Sequence, residues 1–442
     1  MKTKAYETPT VKIEGRSGGY TLIEKTQNLQ EQKESFLRNG TTPTFYHHEH
    51  MKQNPPGKSA EIRFDLLGEA EFILNKVKQH YGNGERFLNH MFGPYISQEQ
   101  ANNILMDYIR ENSLQESLNV YWSNNMTCSA RMVWSGYRMK LNRPEFRRYA
   151  LWINGSNENP FLRTKGMLCL LDHEIGTHFL RTYNDGLQPW YSDRGRFGLR
   201  NAQALESMCS EEGLAAINTA IRSREPYLWL NALKYYAACK STEFNFTELF
   251  DHLERFLQNP EQRWKMVMRI KKGLENPNDL GGHGGDQCYF EGAVKILRNL
   301  DAIDFTVLMS GKICYDEVSR IKRVVRRELI KLPVFMHNMK EYLRKLQKMK
   351  VLNGLNLSHP HYPVPNSYFL RQKVIESQKN PVSRKVSIES KTTSLSDNSD
   401  ISSQGSLIHV FMSSPEEEST ESSDAGDQKH SSSSSANKTE SD

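Results

Sequence analysis

The sequence predicts an α+β fold in which helices dominate, with a small β-sheet and a disordered C-terminal tail. Three observations support this prediction. Apolar residues recur at helical spacing through much of the middle of the chain, two segments have the composition of strands, and the end is rich in serine. Of the 442 residues, 37% are apolar, which is enough for one large domain but too few for a core along the whole chain.

Three segments carry the main helical patterns. In the first, Ala60–His80, the apolar residues line one face of an amphipathic helix. The other two are Leu249–Leu257 and Phe335–Leu346, in which apolar residues again recur at helical spacing. We find no internal repeat, and helices of this kind are expected to make up most of the domain.

The strand-like segments follow the first predicted helix. They are Asn119–Ser123 and Ala130–Leu141, both rich in Val, Tyr, Trp and Met. In the second segment, Ser135 and Gly136 separate two short runs, so we expect a hairpin there. These segments account for the small sheet of the predicted fold.

The composition divides the chain into a loosely ordered N-terminal region at 1–55, a domain at 56–358 and a tail at 359–442. From residue 401 to the end, 14 of 42 residues are serine. Residues 391–442 include 10 acidic and 3 basic residues, a net charge of −7, so the other 55 basic and 42 acidic residues give the body a net charge of +13. A serine-rich, charged segment cannot bury enough apolar surface to offset the entropy lost on ordering, and we expect this tail to be disordered.

The N-terminal region contains one cluster of metal-binding residue types, His47–His50, with the sequence HHEH. Pro43, Pro55 and Pro56 surround it, and no ordered framework is evident. We therefore expect a solvated loop there rather than a metal site.

Several classes of protein are excluded by what the sequence lacks. The longest apolar runs, such as Met167–Leu171, are about five residues long, whereas a membrane-spanning helix needs about 20. Met1–Gly15 has no apolar core of a secretory signal. The six cysteines show no CxxC spacing, which favours free thiols in a reducing compartment over a disulfide framework. We therefore expect a cytoplasmic protein with no membrane partner.

The segment most informative about chemistry is His173–His178, with the sequence HEIGTH, which follows the apolar run Met167–Leu171. Two imidazoles and a carboxylate within six residues are the residue types of a zinc hydrolase. Neutral ring nitrogens bind the metal, and a neighbouring glutamate takes a proton from the metal-activated water. The alternative interpretation is two ordinary histidines on a helix at the edge of the core.

The spacing of the two histidines is unusual. The common zinc helix has them four residues apart, whereas His173 and His178 are five apart. On an ideal helix this spacing separates them by about 140° around the axis, so both could not reach one ion. A one-residue π-bulge would absorb the extra residue, and Gly176 would ease the distortion.

A catalytic zinc also needs a third protein ligand and an open position. The segment Ser210–Ala215, with the sequence SEEGLA, opens a predicted helix about 39 residues after His173. Ser210 is the expected N-cap of this helix. Of Glu211 and Glu212, one could cap the helix and the other could bind the metal.

A glycine-rich turn into a helix covers Gly281–Gly292, with the sequence GGHGGDQCYFEG. A tyrosine such as Tyr289, or a histidine, could donate a hydrogen bond to an oxyanion there. The rival interpretation is a phosphate-binding loop, but the segment lacks the GKS or GKT ending and a preceding strand pattern.

Taken together, these motifs resemble the microtubule-associated tyrosine carboxypeptidase family. The resemblance covers 60–355 and rests on HEIGTHFLR at 173–181, Gln188–Trp190, Gly198–Arg200, EEGLA at 211–215, Asp286–Tyr289, Ile303–Phe305, Gly311–Lys312 and Leu332–Met336. It implies a zincin-like metallopeptidase domain that holds one zinc ion per chain. The implied reaction is removal of the C-terminal tyrosine, or phenylalanine, of α-tubulin on microtubules in the cytoplasm.

The resemblance also implies roles for particular residues. His173 and His178 match the zinc-binding histidines of the family, and Glu174 matches its general base. The last glutamate of the family's [QE]EGLA motif is the shared one, which points to Glu212 rather than Glu211 as the third zinc ligand.

The substrate-binding residues are less well marked. A free carboxylate is normally bound by Arg or Lys. Arg131, Arg181 and Lys312 are candidates because they lie near the motifs, and Tyr289 is a further candidate. The segment Arg320–Lys350 holds 11 Lys and Arg against two Glu, and such a basic surface would attract the acidic tubulin tails. No zinc-finger, RRM or KH signature is present, so nucleic acid is not an expected partner.

Two departures from the family pattern leave an alternative open. The stretch between Arg200 and Glu211 is longer than in the family and includes Cys209, and Gly285 replaces the lysine that usually precedes the aspartate of the glycine-rich turn. The alternative is a catalytically weak microtubule-binding protein that keeps the peptidase scaffold. The intact set of metal and base residues favours the peptidase.

Overall fold

The structure, a computed structural model, describes residues 28–45, 61–115, 117–124, 126, 128–135, 147–271, 274, 276–365 and 368. Helices dominate and accompany a three-stranded sheet, so the predicted α+β class is confirmed. The helices in chain order are α1 (Leu29–Asn39), α2 (Leu67–Tyr81), α3 (Gly84–Phe92), α4 (Gln98–Glu111), α5 (Gly166–His173), α6 (Leu180–Asp185), α7 (Leu205–Ala220), α8 (Trp229–Lys240), α9 (Phe246–Leu253), α10 (Pro260–Lys271), α11 (Gln287–Arg298), α12 (Phe305–Leu308), α13 (Val318–Ile321) and α14 (Met339–Leu352). The strands are β1 (Asn119–Ser123), β2 (Ala130–Ser135) and β3 (Arg148–Asn154).

The sheet has the order β1-β3-β2, with β3 parallel to β1 and antiparallel to β2. Alternate residues of β3, namely Tyr149, Leu151 and Ile153, are buried against the helices. Strand β2 ends at Ser135, the first residue of the predicted turn, and pairs with β3, so the hairpin within Ala130–Leu141 stays a prediction. Residues 136–146, which include the expected second strand, lie outside the described residues.

The N-terminal region is more ordered than expected, because part of it forms helix α1. Phe36 of this helix is buried and packs edge-on against Phe246 and Phe250, with ring centroids 5.3 and 4.8 Å away, and lies 5.2 Å from Trp264. These partners are more than 200 positions further along the chain. The composition of the segment could not reveal them. The cluster His47–His50 lies outside the described residues.

All three predicted helices differ from the observed ones at their ends, and the segment Leu249–Leu257 corresponds to α9, which ends at Leu253. Helix α2 begins at Leu67 rather than Ala60, although Ile62 and Phe64 are buried ahead of it. Helix α14 begins at Met339, and Phe335 lies in a preceding 3-10 turn. Ile62, Phe64 and Phe335 are apolar because they face the core, not because they belong to a helix. The apolar pattern therefore extends beyond the ends of the helices.

Helices α7 and α11 cross at two glycines, and this crossing positions much of the site. A Cβ atom at Gly213 would lie 2.2 Å from the backbone carbon of Gly292, and one at Gly292 would lie 1.6 Å from the carbonyl oxygen of Cys209. The two backbones are therefore in direct contact. This contact explains the glycine of the EEGLA segment and brings Tyr289, one turn before Gly292, towards α7.

The packed region extends past residue 358, where the sequence analysis placed its end. The hydroxyl of Tyr362 donates to Glu71, and the hydroxyl of Tyr368 accepts a 3.0 Å hydrogen bond from the backbone N–H of Ile62. The rest of the predicted tail lies outside the described part of the chain. All six cysteines are described, and none of them forms a disulfide bond, as predicted. No helix among the described residues is long and apolar enough to cross a membrane.

Candidate active site

The helix that carries the HEIGTH segment changes its winding in the middle. Helix α5 ends at His173, a π-helical turn covers Glu174–Phe179, and α6 continues from Leu180. The predicted π-bulge is thus confirmed. It brings the two Nε2 atoms of His173 and His178 within 3.2 Å of each other, so both imidazoles face one point. Gly176 is needed here because a Cβ atom would lie 2.8 Å from the ring of Phe335.

Helix α7 supplies the third member of the cluster. The Oε2 atom of Glu212 lies 3.5 Å from Nε2 of His178 and 3.9 Å from Nε2 of His173. Ligand atoms about 2.1 Å from a tetrahedral zinc ion would be roughly 3.4 Å apart, so the three atoms have suitable spacing. Among the described residues, His173, His178 and Glu212 form a group that could hold a metal ion.

The electrostatics of this group also suit a cation. In the described part of the chain, the buried Oε2 atom of Glu212 accepts no hydrogen bond. Burial alone would raise the pKa of Glu212, but the positive charge that His178 can carry lowers it to about 2. Burial would likewise lower the pKa of His178, but the carboxylates of Glu212 and Glu211 raise it to about 10. The pocket therefore favours positive charge, which a bound metal ion would provide.

Hydrogen bonds at the other ring nitrogens orient both histidines. Nδ1 of His173 lies 2.9 Å from the hydroxyl oxygen of Thr219, which donates its own hydrogen to the carbonyl of Ala215 at 2.8 Å. The hydroxyl can therefore only accept, and Nδ1 of His173 carries the proton. Nδ1 of His178 donates to Glu211 at 2.7 Å. With Nδ1 engaged in this way, the Nε2 atom of each ring faces the centre of the cluster, where it would bind a metal ion in its deprotonated form.

Glu211 differs from its predicted role as a helix cap. Helix α7 begins at Leu205, so Glu211 lies well inside it, and its carboxylate pairs with Arg181 and Lys312 as well as with His178. Ser210 is not an N-cap either, since its hydroxyl accepts a hydrogen bond from the backbone of Tyr315. The long stretch before Glu211 forms the first turns of the helix, so the sequence pattern placed the helix start too late.

Glu174 follows the first histidine at the start of the π-helical turn. Its side chain is buried, and the backbone amide of Met132 on β2 is one of the groups that act to lower its pKa. Burial raises the pKa of Glu174 to about 7, against the opposing effect of His178. A carboxylate with a pKa near neutral pH is well suited to accept and return a proton.

The structure places the candidate substrate-binding residues in different environments. Arg181 is fully buried and donates to the carbonyls of Leu308 and Ile313 in addition to Glu211, so it is not available to a substrate. Lys312 is likewise paired with Glu211. These two candidates are structural partners of the site rather than carboxylate-binding groups.

The other two candidates differ from each other. Arg131 is next to Met132 on β2, and side chains alternate along a strand, so Arg131 projects from the opposite face to the buried Met132. The ring of Tyr289 is nearly parallel to that of His173, at a centroid distance of 6.4 Å. Of the four candidates, Tyr289 is the one that contacts a member of the candidate metal-binding group, which consists of His173, His178 and Glu212.

Two residues around the site were missed by the sequence analysis. Thr219 orients His173, and Asp172, which is fully buried, binds the hydroxyl of Tyr108 and the guanidinium of Arg222 behind the histidine helix. The sequence did contain a signal for Thr219. It lies seven positions after Glu212, a spacing that places both side chains on one face of a helix.

The local structure explains why position 285 is glycine in this chain, where the sequence analysis expected lysine. A Cβ atom there would lie 2.3 Å from Cε1 of His283, and the backbone N–H of Gly285 donates to Nδ1 of that ring at 3.0 Å. The imidazole of His283 therefore occupies the space that a side chain at position 285 would need.

Two histidines and a glutamate around one point, with a second buried glutamate beside them, are typical of metal-dependent peptidases. Residues 2–354 match the family described as microtubule-associated tyrosine carboxypeptidase. This match covers most of the chain, and the chain therefore belongs to the microtubule-associated tyrosine carboxypeptidase family, as its motifs predicted.

Individual relatives agree with this assignment. Microtubule-associated tyrosine carboxypeptidase 1 of Rattus norvegicus is 29% identical over 336 residues, which cover 74% of this chain and 67% of the relative. The protein of the same name from Homo sapiens has the same identity and coverage. That from Mus musculus is 28% identical over 336 residues, covering 74% of this chain and 68% of its own length.

Proposed function

We propose that this protein is a zinc-dependent carboxypeptidase that removes the C-terminal tyrosine or phenylalanine of α-tubulin on microtubules in the cytoplasm. The observation that carries this proposal is the convergence of His173, His178 and Glu212 on one point beside the buried carboxylate of Glu174. The names of the relatives support the reaction type and the association with microtubules.

Glu174 is the proton carrier of the proposed mechanism. Zinc bound by the two histidines and Glu212 would supply Lewis acidity, which makes water nucleophilic at neutral pH. Glu174 accepts the proton that the attacking water gives up and passes it to the nitrogen of the departing residue. Its raised pKa, caused by burial, suits both halves of this transfer.

Tyr289 is placed to stabilise the developing negative charge. Its ring lies beside His173, and its hydroxyl forms no hydrogen bond within the described residues. The environment raises the pKa of Tyr289 well above its usual value, mainly through burial, so the hydroxyl keeps its proton. We assign it as a donor to the oxygen of the scissile carbonyl.

The basic segment Arg320–Lys350 supports an acidic protein tail as the substrate. Nine of its eleven Lys and Arg residues are exposed. The segment is attached to the histidine helix, since Asn184 of α6 donates to the carbonyl of Lys331 at 2.9 Å and Phe335 lies against Gly176. A positive surface so close to the site would raise the local concentration of acidic tubulin tails.

The proposal is tested by incubating the purified protein with tyrosinated microtubules and measuring free tyrosine. We expect release that stops when a zinc chelator is added and returns with added zinc. Microtubule binding without tyrosine release would favour the alternative, a catalytically weak microtubule-binding protein. Release that is insensitive to chelation would contradict the role of zinc.

A further inference from the structure

Lys234, on helix α8, is a half-buried cation that pairs with no carboxylate among the described residues. Its Nζ lies 4.4 Å from the ring centroid of Tyr289. Within the described residues it forms no ion pair and no hydrogen bond. Burial lowers the pKa of Lys234 to about 8, so the ammonium group would gain from an anionic partner.

This lysine belongs to the surroundings of the active site. The same Tyr289 ring that it contacts lies 6.4 Å from the ring of His173. The positive charge of Lys234 contributes to the lowered pKa of His173, and the negative charge of Glu212 acts on Lys234 in return. The ammonium group is therefore within electrostatic reach of two members of the metal-binding group.

The other cations around the site already have partners or face elsewhere. Arg181 and Lys312 are bound to Glu211, and the guanidinium of Arg269 pairs with Asp286 through two nitrogens. Arg131 projects from the face of β2 opposite to the buried Met132. Lys234 is therefore left to receive an anion from outside the chain.

The geometry of a carboxypeptidase substrate places its terminal carboxylate close to the scissile bond. Three covalent bonds separate the scissile carbonyl carbon from the carbon of the terminal carboxylate, a distance of at most about 3.8 Å. The group that binds the carboxylate must consequently lie only a short way beyond the metal-binding residues. Lys234 meets this condition, because only the ring of Tyr289 connects it to His173.

We propose that Lys234 binds the α-carboxylate of the last residue of the substrate beside the ring of Tyr289, and so restricts the site to free C-termini. This inference rests on the proposed function and names the residue that makes the site an exopeptidase site. A charge-assisted hydrogen bond between ammonium and carboxylate supplies the recognition.

The test measures binding separately from catalysis. In the Glu174→Gln background, the affinities of two labelled acidic peptides ending in tyrosine are compared by fluorescence anisotropy, one with a free carboxylate and one amidated. We expect the free acid to bind about 10- to 150-fold more tightly, and Lys234→Met to remove this difference. Lys234→Arg should retain most of it, because the charge is kept.

A matched control lies on the same helix. Lys240 contacts the ring of Tyr236 as Lys234 contacts Tyr289, with Nζ 5.9 Å from the ring centroid, but it pairs with Glu243. Lys240→Met should preserve the preference for the free acid. Thermal melting of each variant verifies that it is folded.

The possible outcomes separate the inference from the proposed function. If Lys234→Met keeps the preference for the free acid, or weakens both peptides equally, Lys234 does not bind the carboxylate. If the parent protein does not distinguish the two peptides, the inference also fails. In each case, tyrosine release by the wild-type protein shows independently whether the proposed function holds.

Discussion

Nδ1 of His178 donates a 2.7 Å hydrogen bond to the carboxylate of Glu211, and this contact gives two adjacent glutamates different roles. Glu212 projects its carboxylate towards the centre of the metal-binding group. Glu211 instead holds the ring of His178 and neutralises the buried Arg181 and Lys312. A charged residue behind a metal-binding histidine fixes its tautomer and its orientation.

The first prediction concerns these two glutamates. Glu212→Gln should abolish zinc binding and activity, because it removes a ligand. Glu211→Gln should keep a site but lower the zinc affinity about 10- to 100-fold. It should also reduce the free energy of unfolding by about 3 kcal/mol, because Arg181 loses its buried counter-ion. Chelator competition and denaturant unfolding measure the two effects. Normal affinity and stability in Glu211→Gln would contradict the assignment.

The second prediction is a zinc content close to one ion per chain. Elemental analysis of the purified protein should find this amount, and His178→Ala should lose it. His252→Ala is the matched control, because His252 binds the hydroxyl of Tyr236 on another helix and should leave the zinc content unchanged. Zinc retained in His178→Ala would show that the ligand set is wrong.

The third prediction concerns Glu174 as the base. Glu174→Gln keeps the shape of the side chain but removes its basicity. The variant should bind zinc and microtubules normally and release tyrosine about 100- to 10,000-fold more slowly. Glu206→Gln, which changes an exposed carboxylate at the start of α7, should have no such effect. Activity of Glu174→Gln within about tenfold of wild type would remove Glu174 from the mechanism.

The fourth prediction concerns the crossing of α7 and α11. Gly213→Ala should lower the free energy of unfolding by about 1–3 kcal/mol or more, because the new methyl group would collide with the backbone at Gly292. Activity should fall as well, since Glu212 is the preceding residue. Gly195→Ala should be tolerated, because the nearest atom to its Cβ would be 3.5 Å away. Equal free energies of unfolding for the two variants would mean that α7 and α11 can move apart to fit the methyl group without loss of stability.

The fifth prediction concerns the basic surface and the acidic tail. Raising the ionic strength from about 0.1 to about 1 M shortens the Debye length from about 10 to about 3 Å and should lower kcat/KM for an acidic peptide. A neutral peptide ending in tyrosine should be affected much less. Deletion of residues 391–442 should not abolish activity. Equal salt dependence of the two peptides would exclude attraction by Arg320–Lys350 as the cause.

Local sequence was sufficient to predict how the residues at the centre of the site are arranged. The five-residue spacing of His173 and His178 required a wider helical turn, because a regular helix would separate them around its axis. The same motif placed Glu174 beside them. Helical periodicity and residue composition were likewise sufficient for the α+β class, since both depend on neighbouring residues only.

Local sequence was insufficient to predict the role of a residue whose partner lies far along the chain. The sequence marked Glu211 as a helix cap and Arg181 as a possible substrate ligand, but the tertiary structure binds them to each other. It also brings Lys234 to Tyr289 and places β3 at the centre of the sheet.

The sequence by itself therefore determined the class of fold, which follows from local periodicity, and the placement of His173, Glu174 and His178 together, which follows from short spacings along one helix. The tertiary structure alone decided which charged residues neutralise one another and which cation is left for a substrate. The physical reason is that a buried charge must be paired or bound, and its available partners are set by packing between distant segments.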